Sequence, residues 1–147
     1  GPGFSGFRVE AENVRHYHPK ESYGSADWRR MLYMTKVRQE REPTFGVFDC
    51  PDFNQTVPNR SRSTTPLQSL SLLNSPFANR QAAFFAERVK REAGEDPAAQ
   101  IDLAFRLAFA RPPKPSEQQV LQRLAKQYGL GQACRVLFNS SAFLYLQ

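Results

Sequence analysis

Three times in this chain a residue able to cap a helix stands directly before proline: Thr65-Pro66, Ser75-Pro76 and Asp96-Pro97. A Thr, Ser or Asp oxygen can accept a hydrogen bond from the free amides of a first helical turn. Proline suits the first helical position, because its φ is already helical and its missing N–H would have no partner there. These prolines therefore mark helix starts rather than breaks. They divide the second half of the chain into helices before any periodicity is considered.

The apolar pattern agrees. Leu67, Leu70 and Leu73 follow Pro66 at helical spacing, and Asn74 ends the run. A second helix is predicted from Pro76 to about Ala93, with Gln81, Phe85 and Val89 in register and Gly94 as its C-terminal cap. The helix from Pro97 to about Ala110 is apolar nearly all round, which predicts a place at the centre of the bundle. Ser116 to about Tyr128 carries Val120, Leu121, Leu124 and Ala125 on one face, and Gly129 to Gly131 reads as a turn. A last helix begins near Gly131 and carries Ala133, Val136, Leu137 and Phe138, and the apolar end after it must pack somewhere.

Upstream, Trp28, Met31, Leu32 and Thr35 fall at i, i+3, i+4 and i+7, which predicts a helix over Ser25–Arg41 ending before Pro43. Residues 1–25 have mixed composition and read as an N-terminal extension, mostly loop with a short strand or helical turn. Its opening Gly-Pro-Gly reads as the remnant of a cleaved tag. Residues 26–147 read as a single helical domain. Between the helices, Glu42–Thr64 holds Pro43, Pro51 and Pro58 with Phe45, Phe48 and Phe53 and no helical repeat. Its aromatics offer apolar surface to dock it, so it is expected to be a long ordered loop. The expected fold class is mainly α: a compact irregular bundle of five or six helices with that loop.

A chain of 147 residues is one domain's worth and can bury a core without metal or disulfide staples. The net charge is +6, and the excess of basic residues lies after Arg60. It favours anionic partners in general. The basic residues are spread over several helices rather than gathered in one run, which argues against a nucleic-acid footprint. Cys50 and Cys134 form no C-x-x-C pair, and no haem-attachment motif is present. Spacing leaves open whether the two cysteines pair. No stretch is as long as a membrane span, and no signal peptide is present.

Three constellations could carry chemistry. Asp49, Asp52 and Asn54 offer hard oxygens to Ca²⁺ from one loop, but they lack the ligand count of an EF-hand, and turn capping beside proline is the simpler reading. Arg60 and Arg62, with Ser61, Ser63 and Thr64 at a helix start, make a candidate anion site. The alternative is an arginine pair that ties the loop to the bundle. His16 and His18 would share a face on a strand, as metal-binding pairs do. Exposed polar residues are the simpler reading there, and no metal site is assigned. The many serines include no G-x-S-x-G elbow.

Phe48, Asp49, Pro51, Asp52, Arg60, Thr64, Pro66, Gln68, Leu70, Leu72, Leu73 and Asn74 lie in the run "FDCPDFNQTVPNRSRSTTPLQSLSLLN". That run resembles the heart of planctomycete-specific domain one, the domain of unknown function 1553. "AFRLAFARPPKPSEQQ" and "LFNSSAFLYL" are similar to two later segments of the family, with Ala142 where an acid is common, and "WRRMLYMTKVRQE" to one upstream. The resemblance implies a C-terminal domain of large exported planctomycete proteins that also carry cytochrome c-like domains, in the periplasm or cell envelope. It implies no cofactor in this domain, with haem c held by other domains of the parent, and a redox or polysaccharide context. It supplies no catalytic residues. The expected function is a non-catalytic module that docks on the parent's other domains. The alternatives are a glycan-acting hydrolase using Asp49 and Asp52 and an anion or nucleic-acid binder using Arg60 and Arg62. Candidate binding residues are Asp49, Asp52, Asn54, Arg60, Arg62, Thr64, Gln68 and Asn74.

Overall fold

The computed structural model describes residues 2–11, 14–37, 47–49, 58–59 and 65–144. The chain is mainly α, with six α-helices among the described residues. It packs as two compact units, Gly1–Ser71 and Leu72–Gln147. Most of the long loop expected over Glu42–Thr64 lies outside the described residues.

The first unit begins with strands. β1 (Phe4–Ser5) pairs in parallel with β4 (Met34–Thr35). β2 (Phe7–Ala11) and β3 (Arg15–Pro19) form an antiparallel ladder that runs from Phe7↔Pro19 to Ala11↔Arg15. Side chains alternate between the two faces of a strand. Phe7, Val9 and Tyr17 therefore share one face, and Arg8, Glu10, His16 and His18 share the other. Phe7 is buried and meets Tyr17 edge-on, with ring centroids 6.4 Å apart.

The helix expected over Ser25–Arg41 does not form in its described part. Two single 3-10 turns, Ser25–Asp27 and Met31–Tyr33, lead into β4 instead. The burial explains why. A helix would bury the stripe holding Trp28 and Leu32, yet these are 50% and 83% exposed. The buried residue is Met34, outside that stripe, which sits in the strand pair and fills the space beside Gly6. Tertiary packing of one residue here outweighs local periodicity. Lys20 donates to Asp27 at 2.9 Å and holds that carboxyl below the ordinary carboxylate range.

α1 (Pro66–Asn74) crosses the boundary between the units. It opens with a reciprocal cap. The Gln68 amide N–H donates to Thr65 Oγ1 at 3.3 Å, and the Thr65 N–H donates to Gln68 Oε1 at 3.2 Å. None of its residues is buried. Its evenly spaced leucines are its exposed face: Leu67 is 59%, Leu70 54% and Leu73 42% exposed.

The second unit holds α2 (Pro76–Ala93), α3 (Pro97–Phe109), α4 (Pro115–Tyr128), α5 (Leu130–Phe138) and α6 (Ser141–Leu144). The caps work as the sequence predicts. Ser75 Oγ accepts from the Ala78 N–H at 3.1 Å, and the Asp96 carboxylate accepts from Ala98 and Ala99 at 3.1 Å each. Gly94 ends α2 at a φ of 73°. Pro115 is a further first-position proline, one residue before the predicted start of α4. The turn expected over Gly129–Gly131 shrinks to Gly129 alone, which joins α4 to α5.

The core lies between these helices. Ala82, Ala86 and Val89 of α2 meet Ile101, Ala104 and Phe105 of α3, Leu121 of α4, and Leu130, Ala133, Cys134 and Leu137 of α5. α3 takes the central place expected of it but shares it with α5: each packs against α2, α4, α6 and the other. α3 buries only the stripe through Gln100, Ile101, Ala104 and Phe105, and its Leu107 is 38% exposed.

Candidate functional site

The candidate residues fall in three groups. Asp52, Asn54, Arg60, Arg62 and Thr64 lie outside the described residues, so the loop carboxylate pair and the arginine pair have no described geometry. Asp49 and Gln68 lie near one another. Asn74 stands at the other end of α1.

Val47–Asp49 form a turn, and Asp49 has a φ of 53°. Asp tolerates this left-handed region better than most residues because its short carboxylate can bond locally. Gln68 Nε2 donates to the Val47 carbonyl at 3.0 Å. Gln68 thus completes the α1 cap with its oxygen and fastens the turn holding Asp49 with its nitrogen. This geometry makes a fixed turn at the start of α1.

Asn74 bonds different partners. Its Oδ1 accepts from Arg135 Nη2 of α5 at 3.2 Å, and its carbonyl accepts from Asn79 Nδ2 at 3.4 Å. Arg135 also reaches Gln132 Oε1 at 3.4 Å, while its Nε is buried with no acceptor among the described residues. The structure therefore splits the α1 candidates into two fastenings, Gln68 on Val47 and Asn74 on Arg135. It does not gather them at one point.

A third constellation was visible only as part of the family-like segment "RPPKPSE". Arg111 donates from Nη1 and Nη2 to the two Glu117 oxygens at 2.8 and 2.7 Å, the planar fork that Arg makes with a carboxylate. Glu117 also accepts from the Lys114 N–H at 2.7 Å and so caps α4. The Arg111 guanidinium lies over the Phe105 and Phe109 rings, 5.2 and 5.7 Å from their centroids. This partner holds the Glu117 carboxyl down at about 2 and pushes the Arg111 guanidinium further up. The sequence signal is an Arg and a Glu on either side of three prolines. It is a clasp, with both its charged groups engaged.

Elsewhere, Cys134 is fully buried, and burial pushes its thiol up to about 12. A thiol that far from ionising is a packing group and not a nucleophile. Among the described residues no three His, Cys, Asp or Glu side chains are already gathered as a metal-ligand set, and no helix is long and apolar enough to cross a membrane.

A family model described as PSD1, protein of unknown function (DUF1553), matches residues 5–125, and the chain belongs to that family. No curated protein and no solved structure matches it.

Proposed function

We propose that this member of the PSD1 family is a non-catalytic docking module. It would sit at the end of a large exported planctomycete protein that also carries c-type cytochrome domains, and hold those domains together in the periplasm or cell envelope. Haem would belong to the other domains.

The observation that carries the reading is α1. A nine-residue helix that buries none of its residues, and turns Leu67, Leu70 and Leu73 to solvent, presents an apolar stripe of the kind a partner surface covers. Its anchoring supports the same reading. The cap at Thr65 and the tie from Gln68 to Val47 fix the start of the helix within its own unit. A stripe on a fixed helix loses little conformational freedom on binding.

The test is binding in trans. The preceding domains of the parent protein, expressed separately, are titrated with this chain by calorimetry. Micromolar binding that disappears in a Leu67→Asp/Leu70→Asp variant with an unchanged circular dichroism melt supports docking through α1. Absence of heat at high concentration of both partners sinks it.

A further inference from the structure

His16 and His18 stand two apart on β3, so they share a face of the strand. The hairpin register sets Glu10 directly across from His16, and Arg8 directly across from His18. The antiparallel pairing therefore brings two imidazoles and a carboxylate to one outer face, and all three side chains are exposed. The sequence alone offers the two histidines. The carboxylate comes from the fold.

His18 Nε2 pairs with Glu10 Oε2 at 3.2 Å. Two ligands each about 2.0–2.1 Å from a tetrahedral zinc ion stand roughly 3.3 Å apart, so an ion could replace this pairing without moving the two groups far apart. His16 does not yet converge on the same point, since no three such groups are gathered among the described residues. It faces Glu10 across the ladder, however, where opposed Cβ atoms lie about 4.5–5.5 Å apart. Closing the set requires the exposed His16 ring to turn about χ1 and χ2, and the His18 ring to turn from Glu10 toward the ion.

We propose that this face of the β2–β3 hairpin binds one divalent transition-metal ion, zinc, nickel or copper(II). His16 and His18 supply imidazole nitrogen, Glu10 supplies carboxylate oxygen, and water completes the shell. Imidazole favours these ions over calcium and magnesium, which prefer all-oxygen sets. The site is open to solvent, so the ion exchanges freely and is not locked into the fold. Arg8, across the ladder from His18, places a positive charge beside the site and holds its affinity down.

Zinc chloride and, separately, copper(II) sulfate are titrated by calorimetry into the whole chain. The protein carries no polyhistidine tag and has Cys50→Ser to remove that thiol. One ion per chain is expected, reversed by a chelator. His16→Ala and His18→Ala should each weaken binding by about 10–100-fold, at least as much as loss of an outer-shell partner does. Glu10→Gln should weaken zinc, and Arg8→Gln should tighten it. Substoichiometric copper(II) should broaden the ring resonances of both histidines before any others. All four positions are exposed, so an unchanged thermal melt serves as the control for folding. No heat up to millimolar zinc, or unchanged affinity in the His16→Ala/His18→Ala variant, overturns the assignment.

Discussion

Arg111 grips both oxygens of Glu117, and the same Glu117 carboxylate caps the first turn of α4. One side chain therefore ends the proline segment and starts the next helix. The folded state favours its ionised form, because its carboxyl is down at about 2 against an ordinary 4.5. Stabilisation from this group is fully present above pH 4.5 and is lost as the pH falls through about 2. Glu117→Gln should cost about 1 kcal/mol at neutral pH, the modest value expected of a pair whose side chains remain partly in water. Urea melts of both proteins at several pH values check this. The gap between them should be constant above pH 5 and close toward pH 2. A gap that persists unchanged at pH 2 would show that the clasp acts through packing.

Gln68 has two separable tasks, and two substitutions separate them. Gln68→Glu keeps an acceptor for the Thr65 N–H but removes the donor to the Val47 carbonyl. Gln68→Ala removes both. The expected losses are about 0.5–1.5 kcal/mol for the first and about 1 kcal/mol more for the second. Equal losses in chemical denaturation would mean that only one of the two bonds matters.

Ile101 and Leu70 are both branched apolar residues on helices, with opposite burial. Ile101 is fully buried and Leu70 is 54% exposed. Ile101→Ala should therefore cost about 2–5 kcal/mol, through lost transfer energy and the cavity left behind. Leu70→Ala should stay within about 0.5 kcal/mol. Chemical denaturation of the two variants reads the difference. A large cost for Leu70→Ala would show that α1 is covered in solution by something belonging to the chain itself.

Cys134 should resist a thiol reagent at pH 8 in the folded protein, given a thiol pushed up to about 12 and no exposed surface. With Cys50→Ser as background, labelling by a chromogenic disulfide should appear only when denaturant is added. Rapid labelling under native conditions would mean that α5 opens on the timescale of the assay.

The starts of α1, α2 and α3 could be read directly because their signal is local. A capping oxygen and a proline act within one turn, whatever the rest of the chain does. The same holds for Gly94. The failure over Ser25–Arg41 has the opposite cause: its periodicity was genuine, but Met34 is held by Phe4 and Gly6, almost thirty residues earlier. The strands β2 and β3 left a trace in the alternation of Arg8-Val9-Glu10 and His16-Tyr17-His18, too short to outweigh the mixed composition around it. Of the candidate residues, Gln68 and Asn74 were found by resemblance, and their tasks became visible only through Val47 and Arg135. Glu10 could not be found at all before the register was known, since nothing in the sequence says which residue faces His16.

Gly129 adopts a φ of 90° and a ψ of 156°, a region closed to residues with a side chain. Space is not the obstacle, because nothing lies within 4 Å of where its Cβ would stand. The corner between α4 and α5 thus depends on one backbone torsion pair rather than on room for a side chain. This makes position 129 a diagnostic for comparing chains of this kind. A relative with glycine there can keep the one-residue corner and the same approach of α5 to α2. A relative without it must lengthen the joint, and its core will have been refilled to suit a different angle.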